Sequence, residues 1–139
     1  MNNTIKIYLA GGMRSGWQDR VIEKIKECYG DEMVEFLDPR SHGLKEPAEY
    51  TKWDMNAIEN CDVVFGYMEK DNPAGMNLMY EMGYGKGLGK EVFCVDEKAA
   101  ADERHDRYTK MIQCSTLYCR NIDDGMDCLL GFIISSDNH

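Results

Sequence analysis

A chain of 139 residues with a formal net charge of −9 is long enough to bury a core without disulfide or metal staples, so one domain spanning residues 1–139 is expected. Binding to a nucleic-acid polymer rests on phosphate neutralisation, which so acidic a chain serves badly; a small phosphorylated ligand needs only a few local donors. No apolar stretch approaches a membrane span, and residues 1–6 lack the charged start and apolar middle of a signal peptide, so a cytoplasmic protein without a membrane partner is expected.

In chain order, residues 5–9 form a first strand on which Tyr8 points opposite to Ile7 and Leu9. It ends in the turn Gly11-Gly12. Residues 17–29 read as a helix with Val21, Ile22, Ile25 and Cys28 on one face, closed by Gly30. Residues 34–37 are a second strand, and 38–47, with two prolines and a glycine, are loop. Asp38, Arg40 and His42 thus follow a strand on the side where such sheets bind ligands, and a solvated loop is the simpler account of each. Residues 50–60 form the second helix. Asp54 lies four residues before Ile58 and seven before Cys61, so it faces inward; an aspartate there also suits the helix dipole. Trp53 fits core packing better than stacking on a base.

Residues 63–67 are a third strand, and Asn72, Pro73 and Gly75 make the turn into a helix over 76–88 that stops at Gly89. Leu78, Glu81, Gly85 and Leu88 share one stripe, which aims Glu81 where a core residue should point. Residues 92–95 give a fourth strand, 96–106 a charged surface excursion, and 116–119 a fifth strand. Asp123 or Asp124 caps a last helix through 134, and 135–139 fray. Strands alternating with helices imply an α/β fold, a doubly wound five-stranded parallel sheet of flavodoxin-like or Rossmann-like type. Six cysteines (Cys28, Cys61, Cys94, Cys114, Cys119 and Cys128) fall mostly in apolar segments without a Cys-x-x-Cys pair. Buried free thiols are expected, with no disulfide, metal or cofactor.

The loop Gly11-Gly12-Met13-Arg14-Ser15-Gly16 lets backbone N–H groups approach an anion, and the following helix adds its dipole. It is neither a Walker loop nor a dinucleotide fingerprint. Arg14 can clamp a phosphate bidentately.

Three stretches stand in this order: Ile7-Tyr-Leu-Ala-Gly-Gly12, Asp54-Met-Asn-Ala-Ile-Glu-Asn-Cys-Asp62 and Glu81-Met-Gly-Tyr-Gly-Lys-Gly-Leu-Gly-Lys90. Together they resemble nucleoside 2-deoxyribosyltransferases and their relatives, the 2'-deoxynucleoside 5'-phosphate N-hydrolases. The resemblance implies enzymes of nucleotide salvage that break an N-glycosidic bond by a retaining route. Glu81 would be the nucleophile, forming a covalent deoxyribosyl-enzyme. Asp54 would serve the leaving base as proton donor or relay, and two inward carboxylates in one cleft raise the pKa of one of them. Tyr8 would orient the nucleophile, Asn72 to Gly75 would line the sugar's 5' end, and Ser115 would reach a 5'-phosphate across the interface of a homodimer or larger assembly. Arg14 tips the reading slightly toward the nucleotide hydrolases, although those commonly carry a hydroxyl residue where Gly12 stands. A transferase moving deoxyribose between bases stays open. A non-catalytic nucleotide-binding module is more distant, since such a module needs neither Glu81 nor Asp54.

Overall fold

The computed structural model describes residues 4–30, 32–73 and 75–137. Strands and helices alternate: β1 (Ile5–Gly11), α1 (Trp17–Tyr29), β2 (Val34–Leu37), α2 (Pro47–Asn60), β3 (Val63–Met68), α3 (Met76–Gly87) and β4 (Glu91–Asp96). Three short helices follow, α4 (Glu97–Ala101), α5 (Glu103–Tyr108) and α6 (Lys110–Ser115), then β5 (Leu117–Cys119) and α7 (Ile122–Asp137). The strands form one parallel sheet in the order β2-β1-β3-β4-β5. This is the doubly wound α/β class expected from the alternation of elements.

Side-chain alternation decides which helix covers which face. Ile7, Leu9, Phe65 and Phe93 pack on Val21 and Ile25 of α1 and on Leu129 and Ile133 of α7. Tyr8, Ala10, Val64 and Cys94 face the other way, onto Ile58 of α2 and Leu78 and Met82 of α3. Tyr8 does point opposite to its neighbours Ile7 and Leu9. The strand order reverses between β1 and β3, which opens a crevice at their carboxyl ends.

Two glycines let α3 lie close on β3. A Cβ on Gly85 would stand 2.7 Å from Val64 Cγ2, and one on Gly66 would stand 2.7 Å from Met82 Sδ. On the helix stripe Leu78 and Gly85 are buried as expected, but Leu88 is 45% exposed and Met82 takes its place inside. Leu88 sits past the last helical residue, at the helix's C-terminal cap.

Other expectations need correction. α2 begins at Pro47 rather than at 50, because a proline is well suited to a first helical turn. A 3₁₀ turn, Pro39–Ser41, interrupts the expected loop, with Asp38 accepting a hydrogen bond from the Arg40 N–H. Cys61 and Cys94 are buried free thiols, whereas Cys28, Cys114 and Cys128 are exposed and Cys119 is half-buried. On α1 the position expected of Cys28 is taken by Tyr29, which packs against the core. The stretch 96–106 is not merely a surface excursion. Asp96 ends β4 in a buried position, accepts the Ala99 N–H, and pairs with His105 Nε2 at 2.9 Å. Asn121, not Asp123 or Asp124, caps α7 by accepting the Asp124 N–H at 2.8 Å. The helix holds through residue 137, and the last two residues of the expected frayed end lie outside the described residues, as do 1–3, 31 and 74.

Two substitutions on α3 test its seating. Gly85→Ala should cost about 1–3 kcal/mol, because the added methyl meets a side chain fixed on the sheet. Gly83→Ala, with nothing within 4 Å of the new atom, should instead gain up to about 1 kcal/mol from helix propensity. Urea denaturation of both variants checks the opposite signs.

Candidate active site

The crevice begins where β1 ends. Gly11 has φ 151°, and a Cβ there would stand 2.6 Å from the Tyr67 carbonyl oxygen and 3.1 Å from the Trp17 ring, so only glycine lets the chain cross the end of β3 so closely. The next carbonyl, Gly12 O, accepts from Trp17 Nε1 at 2.8 Å and Gln18 Nε2 at 3.0 Å. Both side chains are buried on α1 and pin the loop.

A cleft of about 600 Å³ opens on the α2–α3 side, lined among others by Tyr8, His42, Tyr50, Asp54, Tyr80 and Glu81. Tyr8 comes from β1, the second strand from the sheet's edge, Asp54 from α2 and Glu81 from α3. The Tyr8 hydroxyl donates to Glu81 Oε2. Burial raises the Glu81 pKa to about 7, with the Tyr8 hydrogen bond opposing the shift and the Asp54 charge adding to it. Burial also raises Asp54, opposed by His42 and the Tyr8 hydroxyl. The Tyr8 phenol itself is held far above its ordinary value by burial and by the two carboxylates, so it remains a donor.

His42 is the residue whose part the sequence did not disclose. Its Nδ1 accepts the Leu44 N–H at 2.8 Å, which leaves the proton of a neutral ring on Nε2. Nε2 lies 3.8 Å from Asp54 Oδ1, an oxygen that is itself buried without a hydrogen-bond partner among the described residues. The ring packs edge-on against Trp53, whose own place is against the α2–α3 core. Tyr50 and Tyr80 also line this cleft without having been singled out; Tyr50 stands one turn before Asp54, and Tyr80 directly before Glu81.

Two further recesses continue from the cleft. A small one of about 250 Å³ is lined by Gly11, Gly12, Asn72, Gly75, Asn77 and Glu81 among others. Gly75, at φ 75°, opens α3 without a side-chain cap, and a Cβ there would strike Met68. Lys98 Nζ donates to the Asn72 carbonyl at 2.7 Å. A larger recess of about 610 Å³ holds Gly12, Met13, Arg14 and Ser15 together with Glu69 and Asp71. Glu69 Oε2 stands 3.0 Å from the place a Cβ on Gly12 would occupy.

The structure therefore brings Tyr8, Asp54 and Glu81 into one cleft and sets Gly11, Gly12, Met13, Arg14, Ser15, Asn72 and Gly75 around its continuation. Gly16 caps α1 at φ 77°. Asp38 is turned elsewhere, its carboxylate held by Arg40 Nε at 2.9 Å and Nη2 at 2.7 Å. Ser115 ends α6, exposed, with its hydroxyl donating to the Met111 carbonyl, and lines none of these recesses. Among the described residues no three His, Cys, Asp or Glu side chains group in a way that could hold a metal ion.

Residues 4–99 match the family described as nucleoside 2-deoxyribosyltransferase like. Among solved structures, a 2-desoxiribosyltransferase from Leishmania mexicana is similar at 20% identity and a TM-score of 0.50, over 66% of this chain and 65% of that one. The chain thus matches just under two thirds of that relative's length. A CMP N-glycosidase, BcmB, from Clostridium botulinum aligns at 20% identity and a TM-score of 0.48, over 65% of this chain and 70% of its own. Likeness at this identity is likeness of fold. No curated protein matches the chain.

The raised Glu81 pKa makes a stability prediction with a definite sign. Folding favours the neutral acid, so the stability it contributes is full below the ordinary value of 4.5 and is lost as pH rises through about 7. Glu81→Gln should therefore be more stable than wild type by roughly 1–3 kcal/mol near pH 8.5, with the gap shrinking toward about pH 5.5. Urea denaturation at the two pH values checks it, and a gap that does not change with pH would assign the titration elsewhere.

Proposed function

We propose, from the premise that this chain belongs to the nucleoside 2-deoxyribosyltransferase-like family, that it cleaves the N-glycosidic bond of a 2'-deoxyribonucleoside or its 5'-monophosphate. The observation that carries the reading is the part-buried, hydrogen-bonded pair of Glu81 and Tyr8, with Asp54 facing the same cleft. In its ionised form Glu81 attacks the anomeric carbon of the sugar: a bond to the carboxylate oxygen forms as the bond to the base nitrogen breaks. The transition state is oxocarbenium-like and needs a carboxylate close beneath it. Tyr8 holds one carboxylate oxygen, leaving the other to attack.

The departing base needs a proton, and Asp54, whose pKa burial raises from its ordinary value, is suited to give it. His42 Nε2–H faces the Asp54 carboxylate and stabilises the ionised form that remains after the transfer. Asp54 then takes a proton from water as the water oxygen attacks the anomeric carbon and the bond to Glu81 breaks. When a second base replaces water the outcome is transfer. Both outcomes share every residue named here.

At the sugar's 5' end, Arg14 supports a monophosphate, since a dianion in an acidic protein needs a full positive charge. The Glu69 and Asp71 carboxylates in the same recess favour a second reading, a nucleoside with a free 5'-hydroxyl and the transferase outcome. Ser115 adds to the site only through a neighbouring subunit. Its exposed position beside Met111, which is 84% exposed, fits a homodimer.

Two measurements test these assignments. Glu81→Ala and Glu81→Gln should lower base release, followed by chromatography, by two orders of magnitude or more, roughly the loss expected for a nucleophile. Retention of more than about a tenth of the rate would exclude that role. Arg14→Ala should lower kcat/KM for a monophosphate about ten- to a hundredfold while leaving the matched nucleoside nearly unchanged. Equal losses, or a wild type that prefers the nucleoside, would decide for the 5'-hydroxyl reading.

A further inference from the structure

The far edge of the sheet holds a pair of thiols that the cleft does not use. β5 and α7 bring Cys119 and Cys128 together with their Sγ atoms 3.7 Å apart, the Cys119 thiol donating to Cys128. The two differ in access: Cys128 is exposed and Cys119 half-buried. They line a shallow apolar groove of about 360 Å³ with Phe93, Leu117, Tyr118 and Phe132, away from every residue of the active-site cleft. The sulfurs are already in van der Waals contact. A disulfide needs them about 2.05 Å apart, so the two thiols must close the remaining distance on oxidation.

We propose that Cys119 and Cys128 form a dithiol modification site, which a low-molecular-weight disulfide of the glutathione class oxidises to an intramolecular bridge between β5 and α7. The exchange proceeds in two displacements. Cys128, the accessible thiol, loses its proton and attacks one sulfur of the oxidant, forming a mixed disulfide and releasing one small thiolate. Cys119 then loses its proton and attacks Cys128 Sγ, forming the bridge and releasing the second thiolate. Two protein thiols are oxidised, one small disulfide is reduced to two thiols, and the two protons end on the released thiolates. The order follows from the surroundings. Burial, and then the neighbouring Cys128, push the Cys119 thiol up to about 12, which makes it a poor first nucleophile toward a reagent in solution. Once the mixed disulfide stands beside it, contact rather than acidity favours the second step. Cys28 and Cys114 are exposed as well, so exposure alone does not distinguish Cys128; the adjacent second sulfur does.

The test treats the folded protein with excess oxidised glutathione, quenches by alkylation and maps the peptides by mass spectrometry. The expected result is a wild type in which the peptides carrying Cys119 and Cys128 are joined, with both thiols lost and no glutathione retained on either. In Cys119→Ser, Cys128 should stop at the mixed disulfide and keep one glutathionyl group. In Cys128→Ser, Cys119 should remain reduced under conditions that consume both thiols of the wild type. A wild type whose Cys128 keeps its glutathione at the end point would overturn the proposal. So would a Cys119 that reacts as readily in Cys128→Ser as in the wild type, or bridges that join Cys28 or Cys114 instead.

Discussion

The hydrogen bond from Tyr8 to Glu81 joins the second strand from the sheet's edge to the helix that follows β3, and the candidate site is organised around it. A carboxylate taken out of water is costly unless it is bonded. The fold meets that cost with one phenol, itself fully buried in the core between the sheet and α2 and α3. The bond is possible only because α3 lies close on the sheet, and it does so because Gly66 and Gly85 leave no methyl between them and the side chains opposite. Local sequence, packing and electrostatics converge at one contact here.

Around this contact the charges are arranged unequally. Glu81 and Asp54 are both raised from their ordinary values, for the same first reason, burial. Their partners separate them: Glu81 receives the phenol, while Asp54 has an oxygen unpartnered among the described residues that faces His42 across 3.8 Å. Two acids in unlike settings are what a reaction needs when one must attack and the other must deliver a proton. The recess beyond is mixed in sign, Arg14 and Lys70 against Glu69, Asp71 and Glu97. It offers a dianionic 5' group less welcome than the glycine loop alone suggested.

Much of this was legible in one dimension. The bounds of α1 and β2, the opposed directions of Tyr8 and Ile7, and the inward aim of Glu81 and Asp54 all follow from periods of two and 3.6 residues. Those periods hold wherever a regular element packs on a flat neighbour. They failed at the ends: Leu88 lies past the last residue of α3, and on α1 Tyr29 rather than Cys28 packs against the core, so Leu88 and Cys28 are both exposed. The loop after β2 was opaque because no period governs it. Asp38, Arg40 and His42 alternate in sequence, yet the 3₁₀ turn ties the first two to each other and sends the third toward Asp54.

By itself, then, the sequence determined the parallel α/β sheet, the elements that carry the acidic residues, and the side of each element on which they stand. These are consequences of local geometry and of burying apolar stripes. Only the tertiary structure decided which groups meet: Tyr8 with Glu81 across 73 positions of chain, His42 with Asp54, Glu69 against Gly12, and Cys119 beside Cys128. Such contacts depend on strand order, helix seating and loop path. Each of these sums many weak interactions distributed over the whole chain, so no short stretch of residues encodes any of them.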